Sequence, residues 1–89
     1  MKQIYNSIKN KEDLDFLLEI KGMLDVSSQK EVFLQYKDTF IMLEPHGEEI
    51  AVKINGLEVS MFSNFEKMLT EFILDGKPFV ERISEIDYE

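Results

Sequence analysis

Between residues 31 and 61 apolar and polar positions alternate with a period of two, and on both sides of that stretch the apolar spacing lengthens to three or four. The central stretch therefore reads as strands and its flanks as helices. Glu49 to Ile54 and Leu57 to Met61 flank Asn55-Gly56, the pair that a type I′ hairpin turn favours because both central residues need positive φ. A two-residue loop sets Ile54 against Leu57, Val52 against Val59 and Ile50 against Met61, with Lys53 opposite Glu58 on the reverse face. Glu31 to Lys37 and Thr39 to Leu43, rich in aromatic and branched residues, supply two earlier strands.

With two-residue turns at Lys37-Asp38 and His46-Gly47, one face gathers Val32, Leu34, Tyr36, Ile41, Leu43, Ile50, Val52 and Ile54. A three-residue loop at Pro45-His46-Gly47 would instead turn Phe40 and Met42 inward. The first register is preferred because all four strands then agree.

Asn10 caps a helix over residues 11 to 21, with acids in its first turn and Gly22 as terminator. Its apolar positions Leu14, Phe16, Leu17, Leu18 and Ile20 cover an arc wider than one contact face needs. Ser63 with Glu66 forms a capping box for a second helix over residues 64 to 74. There Phe65, Met68, Leu69, Phe72 and Ile73 recur at helical spacing and Asp75-Gly76 is the stop. Pro78, Phe79, Ile83 and Ile86 point to a third helix over residues 78 to 87. Ile4, Tyr5 and Ile8 fit either a strand or a helical turn. The expected fold is one α+β domain over residues 1–89: an N-terminal helix, a four-stranded antiparallel meander, and two C-terminal helices packed on one face of the sheet.

Composition narrows the function. Cysteine is absent, which removes disulfides, thiol nucleophiles and thiolate metal sites. The chain shows no signal-peptide pattern and no run of apolar residues long enough for a bilayer, so a cytoplasmic setting is expected. Lysine far outnumbers arginine, isoleucine is abundant and Ala51 is the one alanine, which suits an AT-rich bacterial or phage genome. The formal net charge is -8. The first 37 residues are balanced, and the acid excess lies after them, where only Lys53, Lys67, Lys77 and Arg82 are basic. Without clustered cations, direct nucleic-acid binding and attraction to an anionic membrane are not expected.

Catalytic chemistry finds no foothold. His46 is the single histidine, Glu44, Glu48 and Glu49 lack the spacing of a calcium loop, the serines lack a glycine elbow, and the four glycines are too dispersed to cradle a phosphate. No enzyme activity, cofactor or metal is expected. What stands out is the second face of the sheet, with Phe33, Phe40, Met42, Ala51 and Phe62 edged by Glu44, Glu49 and Glu58. An apolar patch with a charged rim marks a protein interface. The competing reading is that a terminal segment folds over it.

The leading functional expectation is a small acidic protein-binding module of inhibitor, immunity or adaptor type, occupying a partner protein that is basic. Its partner-binding residues would be Phe33, Phe40, Met42, Phe62, Glu44, Glu49 and Glu58. One rival is an acidic decoy of a nucleic-acid-binding protein, using Glu66, Glu71, Asp75, Glu81, Glu85, Asp87 and Glu89 as phosphate mimics. The other is a self-associating structural component, a homodimer with Phe33, Phe40 and Met42 at its seam.

Overall fold

The computed structural model describes residues 3–89, and it is an α+β fold with a five-stranded antiparallel sheet. In chain order come α1 (Gln3–Asn6), α2 (Lys11–Leu24), β1 (Val32–Tyr36), β2 (Thr39–His46), β3 (Glu49–Ile54), β4 (Leu57–Phe62), α3 (Phe65–Glu71), β5 (Ile73–Leu74), β6 (Lys77–Pro78), a 3-10 helix (Phe79–Glu85) and β7 (Ile86–Tyr88). The main sheet runs β4-β3-β2-β1-β7, and β5 pairs with β6 in a separate small hairpin. Among the described residues no helix is long and apolar enough to cross a membrane.

The alternation in β1 to β3 does what a half-buried sheet requires. Val32, Leu34, Tyr36, Ile41, Leu43, Ile50 and Val52 are buried together and meet Leu17, Ile20 and Leu24 of α2 and Phe65, Met68 and Leu69 of α3. The 3-10 helix joins the same core through Phe79 and Ile83. Asn10 caps α2, its side chain accepting from the Glu12 N–H at 2.8 Å. Gly22 does not terminate this helix, which continues to Leu24, because burying Leu24 outweighs the weak helix propensity of one exposed glycine. The wide apolar arc of α2 is partly used by Phe16, whose ring meets Tyr88 of β7 edge-on at 5.0 Å.

Turn chemistry sets the register. Asn55 (φ 50) and Gly56 (φ 88) adopt the left-handed pair of a type I′ turn, and Ile54 faces Leu57 as expected. Asn55 also reaches back to β2, where its side-chain oxygen accepts from the Phe40 N–H at 3.0 Å. A Cβ on Gly56 would meet nothing within 4 Å, so any penalty for substitution is backbone strain alone. Gly56→Val is expected to lower stability by about 1 kcal/mol or more, read as a fall in the urea midpoint; an unchanged midpoint would contradict the turn.

Between β2 and β3 the turn residues are Gly47-Glu48, since His46 pairs with Glu49. The expected His46-Gly47 turn is thus displaced by one residue and the pairing slides by two, which preserves the facing of every side chain. Gln29 explains the placement: its side-chain nitrogen donates to the Gly47 carbonyl at 3.0 Å while its oxygen accepts the Gly47 N–H at 3.1 Å. Gly47 (φ 65) supplies the positive φ at the first turn position.

Three further expectations are corrected. First, the β3–β4 ladder shifts register between Val52 and Lys53, so Val52 faces Ser60, Ile50 faces Phe62 and Ala51 faces Met61. Val59 is the extra residue of a bulge, and beyond it the strand turns over. Phe62 therefore enters the core beside Phe72, ring centroids 6.2 Å apart, and Met61 faces outward. Burying a phenylalanine among other rings is worth more than the one ladder interaction the bulge disrupts.

Second, Asn64 rather than Ser63 caps α3, accepting from the Lys67 N–H at 2.8 Å, and the helix stops at Glu71. Asp75-Gly76 is no helix stop: Asp75 (φ 54) and Gly76 (φ 85) make the turn of the β5–β6 hairpin, the same chemistry as Asn55-Gly56. Third, residues 78 to 87 form no α-helix. A 3-10 helix buries Phe79 and Ile83, and β7 then pairs with β1 as the fifth strand. A single α-helix thus follows the meander in place of the expected two.

Candidate protein-docking face

The second face of the sheet is built by the residues that β1 to β3 turn away from the helices. One row crosses all five strands: Glu58 faces Lys53, Lys53 faces Met42, Met42 faces Phe33, and the Glu89 N–H, just past β7, donates to the Phe33 carbonyl at 3.0 Å. A parallel row carries Phe40, Gln35 and Asp87. On the other side of the central row lie Glu44, Ala51 and Met61, with Glu49 near the Gly47-Glu48 turn.

Phe33 is 49% and Phe40 47% exposed, and Met61 is 45% exposed at the β4 edge. Phe33, Phe40, Met42, Lys53 and Glu89 line a shallow depression of about 240 Å³. Among the described residues no segment covers this face. Ile4, Tyr5 and Ile8 pack instead against the core on the helical side, where the Tyr5 hydroxyl donates to Glu66 at 2.6 Å. The C-terminal segment extends the sheet sideways rather than folding over it.

Charge on the face is uneven. Glu44 is internally compensated: His46 Nε2 lies 2.8 Å from one carboxylate oxygen and Lys53 Nζ 3.4 Å from the other. The contact with His46, opposed by partial desolvation and reinforced by Lys53, holds the Glu44 carboxyl below its usual range. Glu49, Glu58, Asp87 and Glu89 have no ion-pair partner within 4 Å among the described residues and stand exposed round the apolar centre. Any group meeting this face meets carboxylates at its margin and rings in its middle.

Of the residues the sequence nominated, Phe33, Phe40, Met42, Glu44, Glu49 and Glu58 are brought together. Phe62 is not; it is 8% exposed on the opposite side of the sheet and leaves the candidate surface. Met61, Asp87 and Glu89 join it unforeseen. The alternation in Ile86-Asp87-Tyr88 was the available signal for the last two, and the Met61-Phe62 apolar pair was the only hint of the bulge.

A second concavity, of about 350 Å³, lies where the end of α2 and the Gly47-Glu48 turn approach the start of α3. Two of its charged groups, Lys21 and Glu66, are already engaged with each other. Lys21 Nζ sits 3.5 Å from Glu66, and although burial opposes ionisation of Glu66, the Tyr5 hydroxyl and Lys21 hold its carboxyl below the usual range. Burial and the Glu66 carboxylate in turn push the Tyr5 hydroxyl well above its ordinary pKa. This trio ties α1 to α2 and α3. Among the described residues no three carboxylates or histidines are grouped to hold a metal ion.

No protein-family model matches the chain, and no curated protein or solved structure is significantly similar to it.

Proposed function

We propose that this chain is a non-enzymatic protein-binding module that works by laying the second face of its sheet on a partner protein. The observation that carries the reading is the open, ring-centred face: antiparallel sheets with one solvated side normally alternate to polar residues there, whereas here Phe33, Phe40, Met42 and Met61 take those positions. Aromatic anchors in a charged rim are the usual composition of an interface.

The decoy reading is less well supported because its carboxylates are largely spoken for. Glu66 pairs with Lys21, Glu71 with Lys67, Asp75 with Lys37 and Glu85 with Arg82, and they do not form one unneutralised stripe. Affinity capture from the source cell tests the proposal. A protein retained by the native chain is expected to be lost with Phe40→Ser and kept when Glu66 and Glu71 are both changed to Gln. The opposite pattern, with capture falling steeply as salt rises, would favour the decoy.

A further inference from the structure

We infer that the occupant of this face is a basic surface of another protein, presenting an apolar side chain flanked by lysine or arginine, and not a second copy of this chain. The inference rests on the reading that the second face is the binding surface. It adds the chemistry of what binds there.

The argument is one of complementarity. Among the described residues of the face and its rim, Glu31, Glu44, Glu49, Glu58, Asp87 and Glu89 outnumber the permanent cations Lys30 and Lys53, and Lys53 is itself held by Glu44 at 3.4 Å. A second copy packed face to face would bring two such rims together and bury the excess of carboxylates in one seam, where like charges oppose each other at low dielectric. A cationic partner relieves the same groups.

Geometry makes the match more specific. Glu58 and Glu89 close the two ends of the row that holds Met42 and Phe33. They are separated by four strand spacings, about 19 Å. The depression beside Phe33 and Phe40 lies between them, open and large enough for one bulky side chain. An apolar anchor seated there places basic neighbours on either side within reach of Glu58 and of Glu89.

Four labelled peptides test this by fluorescence anisotropy with the full chain. One carries a central Leu-Trp pair flanked by lysines, one the same pair flanked by serines, one the same pair flanked by glutamates, and one flanking lysines round a Ser-Ser centre. The lysine-flanked Leu-Trp peptide is expected to bind best. Its affinity is expected to fall by roughly tenfold with Phe40→Ser and again with the double change of Glu58 and Glu89 to Gln, and to be unmoved by Glu71→Gln on the helical side. Circular dichroism verifies that each variant folds, and Phe33→Ser replaces Phe40→Ser should the latter fail.

Equal binding of the serine-flanked peptide, lost with Phe40→Ser, overturns the basic partner while leaving the docking face standing. Equal binding of the Ser-Ser peptide overturns both, since charge alone would then suffice. No binding by any peptide below about 100 μM overturns the basic partner, and so does a dimer seen by light scattering that Phe40→Ser dissolves.

Discussion

Phe79→Ala is expected to remove about 3 to 5 kcal/mol of stability, the usual cost of emptying a buried phenylalanine site. The ring is fully buried and stacked on Phe72, with centroids 5.6 Å apart and planes 23° from parallel. The Phe79 N–H also donates to the Phe72 carbonyl at 2.8 Å, so the backbone at this point is fastened to the end of α3 as well. A domain of this length holds roughly 4 to 13 kcal/mol in all, so the variant should lose about a fifth of it or more and melt at least about 12 °C lower. Calorimetry would measure this directly. A loss below about 1 kcal/mol would mean that the segment after Gly76 is not part of the core, and β7 would lose its footing against β1.

Phe79 also shows how a correct residue can sit in a wrongly read element. Phe79, Ile83 and Ile86 are buried, as their spacing suggests, yet the helix turns out to be a 3-10 helix that gives way to a strand. Apolar spacing over so few residues does not separate the two, and the alternating Ile86-Asp87-Tyr88 is itself a strand pattern. What decides is long-range: an unpaired edge on β1 accepts β7, and Tyr88 reaches Phe16 and Glu19 of α2. None of those partners is local in sequence.

Asp75-Gly76 failed for a related reason. The pair fits a helix terminus and a hairpin turn equally well, and the preceding apolar run favoured the helix. The hairpin prevails through contacts from elsewhere. The Asp75 carboxylate accepts the Tyr36 hydroxyl at 3.0 Å and Lys37 Nζ at 3.3 Å, which keep it below the usual carboxylate range. Arg82 donates to the Leu74 carbonyl at 3.1 Å and to that of Asp75. By contrast, the cap at Asn10, the turn at Asn55-Gly56 and the inward set of β1 to β3 were legible because each depends on residues within a few positions of one another. The same locality limited the site. Phe33, Phe40 and Met42 follow from simple alternation, while exchanging Phe62 for Met61 required knowing of a bulge that only the aromatic cluster beneath the sheet explains.

Two serine substitutions on opposite faces of that sheet should separate docking surface from core. Val52 is fully buried between Leu43 on β2 and Ser60 on β4, and Val52→Ser replaces well-packed methyl groups with a hydroxyl inside the core. Lost burial and the desolvation of the new hydroxyl together are expected to cost about 3 kcal/mol. Phe40 leaves 47% of its surface in water and has Gln35 opposite it on β1. Phe40→Ser forfeits only part of an aromatic side chain's burial and strands no polar group, because the new hydroxyl is solvated; the expected cost is under about 1 kcal/mol. The Phe40 backbone pairing with Asn55 is untouched by either change. Urea unfolding of both variants gives the comparison. A Phe40→Ser protein about as unstable as Val52→Ser would show that the second face is covered in solution, and its rings would then be core rather than contact.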